Sequence, residues 1–181
     1  MIDLGIDSVI DLQNPTLATM SDTYSLAAKL GQLLLARSQT ITTAESCTGG
    51  LIAGAITDVA GSSNWFDRGY VTYADAAKIS MLDVPPAFIE GLGAVSEPVV
   101  AAMVQGAMEQ AGAQWGVAVS GVAGPGGGSA EKPVGTVWFA WGTPVGIVTE
   151  RQLFAGDRAA VRAQTVRLAL AKLIQLIEET R

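Results

Sequence analysis

The sequence predicts a three-layer α/β/α domain, built on a mixed, mostly parallel sheet with one antiparallel member and helices on both faces. Three observations carry this expectation. Short β-branched runs alternate with helical periodicity early in the chain. Two strand-like segments, 135–141 and 145–154, then follow one another without a helix between them, as a hairpin does. Finally, 181 residues at 49% hydrophobic and 15% charged suffice for one core, with no repeat or linker to divide it.

Each element has its own signal. Residues 1–20 carry Asp3, Asp7, Asp11 and an Asn14-Pro15 break with weak periodicity, and are expected as a poorly specified leader to a domain over 21–181. From Ser21 or Asp22 as N-cap, Leu26, Leu30, Leu33 and Leu34 recur at helical steps toward Arg37-Ser38. Thr40 to Ala44 reads as a strand, residues 45–50 as a tight turn, and Leu51, Ile52, Ala55, Ile56 and Val59 as the helix after it. Phe66 to Tyr73 is a second strand, and Asp75, as N-cap, opens a short helix to Leu82. Pro85-Pro86 precedes another short segment. Ser96 then caps a helix that tolerates Pro98 in its first turn and runs to Ala111. Trp115 to Ser120 is apolar enough for a central strand, residues 121–133 form a loop, and the hairpin turns near Thr143-Pro144. Arg158 to Thr180 closes the chain as an amphipathic helix.

Composition excludes several chemistries. There is no histidine, which removes a Ser-His-Asp triad, a Cys-His dyad and any histidine-ligated metal. A net charge of −6 argues against nucleic-acid binding, which draws its affinity from cations on phosphates. The single cysteine, Cys47, cannot form an internal disulfide, and the first cation is Lys29, so no secretory n-region precedes it. No apolar run spans a bilayer, and the mean hydropathy of +0.36 comes from Ala, Val, Leu and Gly spread along the chain. A cytoplasmic protein without metal, cofactor, membrane or nucleic-acid partner is expected.

Chemistry concentrates in the first strand–turn–helix unit. Ser46 sits where ligands gather in α/β sheets, beside the N–H groups of the following helix. Helix capping, shared with Thr48, is the commoner use of such a serine; nucleophilic attack is the other. The turn is not a Gly-x-Ser-x-Gly elbow, because Ala44 and Thr48 occupy the glycine positions. A nucleophilic serine here needs lysine or tyrosinate as base. Of four lysines, Lys29 and Lys172 fall in long amphipathic helices where a solvated face is expected, and Tyr24 lies in the first helix. Tyr70, Tyr73, Lys78 and Lys132 remain, and Tyr73 and Lys78 share a strand end. Their spacing is one too long for the Tyr-x-x-x-Lys of short-chain dehydrogenases, and Gly49 stands where a Ser-x-x-Lys motif requires lysine. The loop from Gly121 to Ser129 holds five glycines and suits an anion nest or a flexible connection, but it lacks a P-loop ending. Arg158, opening the last helix, suits a phosphate clamp or a surface ion pair.

Ala44-Glu-Ser-Cys-Thr-Gly-Gly50, Gly69-Tyr-Val-Thr-Tyr73 with Lys78, Val95-Ser-Glu97, Ser120-Gly-Val-Ala-Gly-Pro125, Lys132-Pro-Val-Gly-Thr136 and Gly156-Asp-Arg158 occur in order from about Thr23 to Ile177. Together they resemble the CinA C-terminal domain family, whose enzymatic members are nicotinamide-nucleotide amidohydrolases, and the chain resembles its stand-alone form. The resemblance implies a mixed five-stranded sheet and a small-molecule nucleotide substrate in pyridine nucleotide salvage. It also implies Ser46 as nucleophile with Tyr73 and Lys78 as partners, Lys78 taking the Ser46 proton directly or through Tyr73. Glu45, Thr48, Gly49, Gly50, Ser120, Gly121 and Arg158 become the substrate-binding set, and amides near Thr48 to Gly50 hold the oxyanion. Ser120 stands where many members have threonine and keeps the hydroxyl. The alternatives are a non-catalytic, nucleotide-binding protein of the competence or DNA-damage type, and a serine amidase for another amide. Oligomeric state stays open, with Trp138 and Trp141 on one strand as a candidate interface and a core role expected for at least one of them.

Overall fold

The structure, a computed structural model, describes residues 23–180. The leader expected over 1–20 and the Ser21 or Asp22 cap lie outside the described residues. The elements are α1 (Thr23–Ala36), β1 (Ile41–Glu45), α2 (Leu51–Thr57), a 3-10 turn (Ser62–Asn64) and β2 (Phe66–Val71). After them come α3 (Asp75–Leu82), α4 (Pro86–Leu92), α5 (Glu97–Ala111) and β3 (Trp115–Gly121). The chain closes with β4 (Thr136–Thr143), β5 (Gly146–Leu153) and α6 (Arg158–Glu179). The five strands form one sheet in the order β2-β1-β3-β4-β5. β1 pairs parallel with β2 and β3, and β4 antiparallel with β3 and β5. Only β4 therefore runs against the other four, as the alternation and the hairpin predict.

The two faces differ in side-chain size, and this sets how the helices lie. On one face Ala44, Ala118 and Ala140 stand in register across β1, β3 and β4. That flat row admits Val99, Val100, Met103, Val104 and Ala107 of α5 at close range. α5 also touches α3 tightly: a Cβ on Gly106 would lie 2.1 Å from the Leu82 carbonyl oxygen, so only glycine fits there. The opposite face carries Ile41, Val117, Val119, Phe139 and Trp141 beneath α1, α2 and α6. Trp141 stacks on Phe139 at 5.1 Å and donates its indole N–H to the Ala169 carbonyl, which makes it core; Trp138 is half-buried.

Three local expectations change. Asp75 is the first residue of α3 and Ala74 takes the N-cap position, because the chain leaves β2 still extended through residue 74. Ser96 occupies its N-cap position, but its hydroxyl donates to the Gly93 carbonyl and bonds no helix amide. Lys172, expected on a solvated face, is 4% exposed, since α6 is a central helix that packs on sheet and α1 with half its circumference. Lys29 behaves as expected, half-exposed and paired with Glu178 at 2.8 Å.

The topology has one switch point. From β1 the chain crosses through α2 to β2 on one side, then returns through α3–α5, on the other face, to β3 on the opposite side of β1. The crevice beyond the carboxyl ends of β1 and β3 is where open α/β sheets bind ligands.

Candidate active site

Ser46 directly follows β1 and Ser120 is the last but one residue of β3, the two strands that flank this crevice. The Ser46 N–H donates to the Val119 carbonyl at 3.0 Å, carrying the β1–β3 ladder one residue past the strand. The Thr72 N–H donates to the Glu45 carbonyl at 2.8 Å, which ties the end of β2 to the same point. A cavity of about 200 Å³ opens there, lined by Ser46, Tyr73, Asp75, Lys78, Ser120 and Arg158, with Cys47, Ala94, Val95, Gly121 and Ala123.

Lys78 enters from α3. It is 1% exposed, and its Nζ lies 3.2 Å from Ser46 Oγ, 2.9 Å from the Thr72 carbonyl and 3.4 Å from the Tyr73 carbonyl. A neutral amine has two protons and one lone pair. In the neutral form the two carbonyls can accept those protons and leave the lone pair for the serine hydroxyl; in the ammonium form Nζ donates to all three oxygens. Burial lowers the Lys78 pKa from the usual lysine range, while the Asp75 carboxylate 3.6 Å away works in the opposite direction. Beside Ser46, burial pushes the Cys47 thiol up to about 12, so it stays protonated.

Tyr73 sits differently from a proton relay. Its hydroxyl, on a side chain largely exposed at the cavity mouth, accepts from Arg158 Nη2 at 2.7 Å and hydrogen-bonds neither Ser46 nor Lys78. Arg158 Nη1 donates to the Gly124 carbonyl at 2.9 Å, so this arginine bridges from the end of β2 to the glycine loop. Beyond it lies a more open cleft of about 620 Å³, lined by Ala123, Gly124, Pro125 and Val134 on one side and by residues 156–159 and Arg162 on the other. The glycine loop is tied elsewhere too, by Lys132 Nζ to the Leu92 carbonyl at 2.6 Å and by Arg151 to the Glu131 carbonyl at 2.7 Å.

The turn after Ser46 rests on Glu45. Its fully buried carboxylate accepts from the Thr48 hydroxyl at 2.6 Å and from the N–H groups of Gly50, Ile52 and Ala53 at 2.8–3.0 Å. Glu45, not Ser46 or Thr48, caps α2. Of the expected substrate-binding set, Ser120, Gly121 and Arg158 line the small cavity, whereas Glu45 and the buried Thr48 lie beneath the turn. Gly49 and Gly50 take left-handed φ values of +61° and +99°, and their amides donate to the Ser46 carbonyl and to Glu45. Those two amides are not available to an oxyanion; among the described residues, the N–H groups of Cys47 and Thr48 donate to no other residue. Glu45→Ala leaves several buried donors unpaired, so it is expected to destabilise the fold by about 3 kcal/mol or more, read from the urea midpoint.

Two charged side chains near the site, Asp75 and Arg162, have no site signal among the sequence motifs. Asp75 registered only as a helix start, although its place three residues before Lys78 puts both on one helical face. Arg162 lies one turn after Arg158 on α6, the same-face spacing that would have flagged it. Among the described residues, no cluster of Cys, Asp and Glu could hold a metal ion, and no helix is long and apolar enough to cross a membrane.

Comparison with known proteins adds three findings. The family model of the CinA C-terminal domain matches residues 23–177. The nicotinamide-nucleotide amidohydrolase PncC of Pseudomonas putida is 56% identical over 157 residues, covering 87% of this chain and 98% of its own; the protein of the same name from Escherichia coli K12 is 54% identical over 158 residues, covering 87% and 96%. Among solved structures, the competence damage-inducible protein A of Klebsiella pneumoniae superposes with a TM-score of 0.86 at 42% identity, over 88% of this chain and 99% of that one.

Proposed function

The chain belongs to the CinA C-terminal domain family, and on that premise we propose that it is a nicotinamide-nucleotide amidohydrolase, converting nicotinamide mononucleotide to nicotinate mononucleotide and ammonia. One contact carries the reading down to residues: a buried lysine amine 3.2 Å from a serine hydroxyl, in a chain without histidine.

In this mechanism Ser46 Oγ attacks the carboxamide carbon while Lys78 Nζ takes its proton. The developing oxyanion is met by the Cys47 and Thr48 N–H groups, in place of the Gly49 and Gly50 amides. Lys78 then passes the proton to the amide nitrogen, the C–N bond breaks, and ammonia leaves an ester on Ser46. Water, deprotonated by the same amine, adds to the ester; the C–O bond breaks, and the acid departs as Ser46 regains its proton. The pyridine carboxamide occupies the small cavity beside Ser120. Ribose and phosphate extend past Arg158 into the larger cleft, where the N-terminus of α6 and the remaining guanidinium donors suit an anion. Tyr73 holds Arg158 at that junction and does not relay the proton. A cytoplasmic place in pyridine nucleotide salvage completes the reading.

The pH dependence has a defined sign. Activity needs neutral Lys78, so kcat/KM rises as pH climbs through its lowered pKa. Asp75→Asn removes the charge that opposes that lowering, so the acid limb of the profile is expected to move to lower pH. A limb that stays in place, or moves up, separates Asp75 from the amine.

The deciding assay measures ammonia release from nicotinamide mononucleotide and from nicotinamide side by side. Turnover of the nucleotide well above that of the free base is expected. Equal turnover of both indicates an amidase indifferent to phosphate, and no release from either indicates a nucleotide-binding protein without catalysis.

A further inference from the structure

Arg162 lines the larger cleft beside Arg158, yet two of its nitrogens are engaged by the turn after Ser46. Its Nε donates to the Cys47 carbonyl at 3.1 Å and its Nη2 to the Thr48 carbonyl at 2.9 Å. These are consecutive carbonyls of the turn that follows the nucleophile. A peptide unit is planar and trans, so its C=O and N–H point in opposite directions. The Cys47 carbonyl and the Thr48 N–H belong to one unit; fixing the first on Arg162 aims the second away from α6. The Thr48 carbonyl and the Gly49 N–H form the next unit, and that N–H donates to the Ser46 carbonyl at 3.0 Å. One guanidinium thus orients two successive peptides, one bearing an oxyanion donor and the other bracing the nucleophile's own backbone.

The turn needs such an external hold. Gly49 and Gly50 restrict their backbone least of all residues, and both adopt left-handed φ. Glu45 grips the inner side through Thr48 Oγ1 and the Gly50 N–H. On the outer side, the only other donor to either carbonyl among the described residues is the Leu51 N–H, at 3.4 Å from the Thr48 oxygen.

We propose that Arg162 is a positioning residue: its two-point contact with the Cys47 and Thr48 carbonyls holds the Thr48 N–H in oxyanion-binding orientation and the next peptide against the Ser46 carbonyl. The proposal rests on the amidohydrolase reading above. It divides the labour of two arginines one helical turn apart, Arg158 for the substrate's anionic group and Arg162 for the catalytic turn.

Steady-state kinetics on nicotinamide mononucleotide with wild type, Arg162→Ala, Arg162→Lys and Arg158→Ala test this. For Arg162→Ala, kcat falls roughly 10- to 100-fold, the scale of a small misplacement of catalytic groups, while KM stays within about threefold. Arg158→Ala shows the opposite split, with KM raised most. Arg162→Lys keeps the charge but loses the two-point contact, so its kcat stays below wild type, and millimolar ethylguanidinium restores part of the kcat of Arg162→Ala. Should the alanine variant fail to fold, the lysine variant carries the comparison, its fold verified by circular dichroism. A raised KM with unchanged kcat makes Arg162 a substrate ligand and overturns the proposal, as does wild-type kcat in Arg162→Lys. A wild type that releases no ammonia overturns the amidohydrolase reading and this proposal with it; an active wild type with unaffected variants overturns this proposal alone.

Discussion

Ser46→Ala removes ammonia release from nicotinamide mononucleotide, with an expected loss on the order of 10⁴- to 10⁶-fold, the range for deletion of a catalytic nucleophile. No neighbouring group can take over. Cys47 is adjacent, but burial drives its thiol pKa to about 12, and a protonated thiol attacks an amide poorly. The substitution removes one hydroxyl oxygen, leaving a methyl at a 9% exposed position, so folding and nucleotide affinity should persist. Intact-protein mass spectrometry after rapid acid quench reads the chemistry: wild type carries the nicotinoyl nucleotide as an ester, and the variant carries none. Ammonia release at a wild-type rate from the variant would remove Ser46 from the reaction.

Lys78→Met lowers turnover by about 10²- to 10⁴-fold, the usual contribution of a positioned general base. Methionine fills nearly the same volume, so the loss is chemical and not a collapsed cavity. The acid limb of the kcat/KM profile disappears with the amine. Stability supplies an independent readout. Because the folded pKa lies below that of the unfolded chain, the native state binds fewer protons between the two values, and wild-type stability rises with pH across that window. The variant lacks that slope. Its stability relative to wild type should therefore decline as pH climbs from the lowered pKa toward 10.5, measured by thermal melts in matched buffers. An unchanged acid limb in Lys78→Met, or parallel stability curves, would assign the base to another group.

Much of this architecture is legible in local pattern. The run from Thr40 to Val59 announces strand, turn and helix, because β-branched residues, two glycines and apolar i, i+4 spacing are local signals. The hairpin at Thr143 to Gly146 and the single reversed strand are likewise visible, since consecutive strands without a crossover helix must pair antiparallel. Glu45 misleads for a physical reason. The resemblance implies substrate contact for it, but successive residues at a strand end face opposite sides, and the Glu45 carboxylate meets the amides of α2. Tyr73 misleads similarly: its distance in sequence from Lys78 hides that the tyrosine backbone, not its hydroxyl, faces the amine. Lys172 looks solvated by helical periodicity, but a helix covered by both sheet and α1 has too little exposed face for the pattern to hold.

Residue identity narrows the kind of chemistry open to this chain. Without imidazole, and with a serine in a glycine-bearing turn and few amines to choose from, residue identity alone restricts the base. The alternation of strands and helices also determined which end of the sheet would carry the site. The packed fold supplies the rest: the Lys78 amine reaches the Ser46 hydroxyl across 32 positions, the Thr72 carbonyl accepts from that amine, and an arginine 114 positions away donates to the turn's Thr48 carbonyl. Functional-group reactivity is local and can be read from composition and order. Direction and distance between remote groups come from how strands register and helices pack, and no short stretch of sequence encodes them.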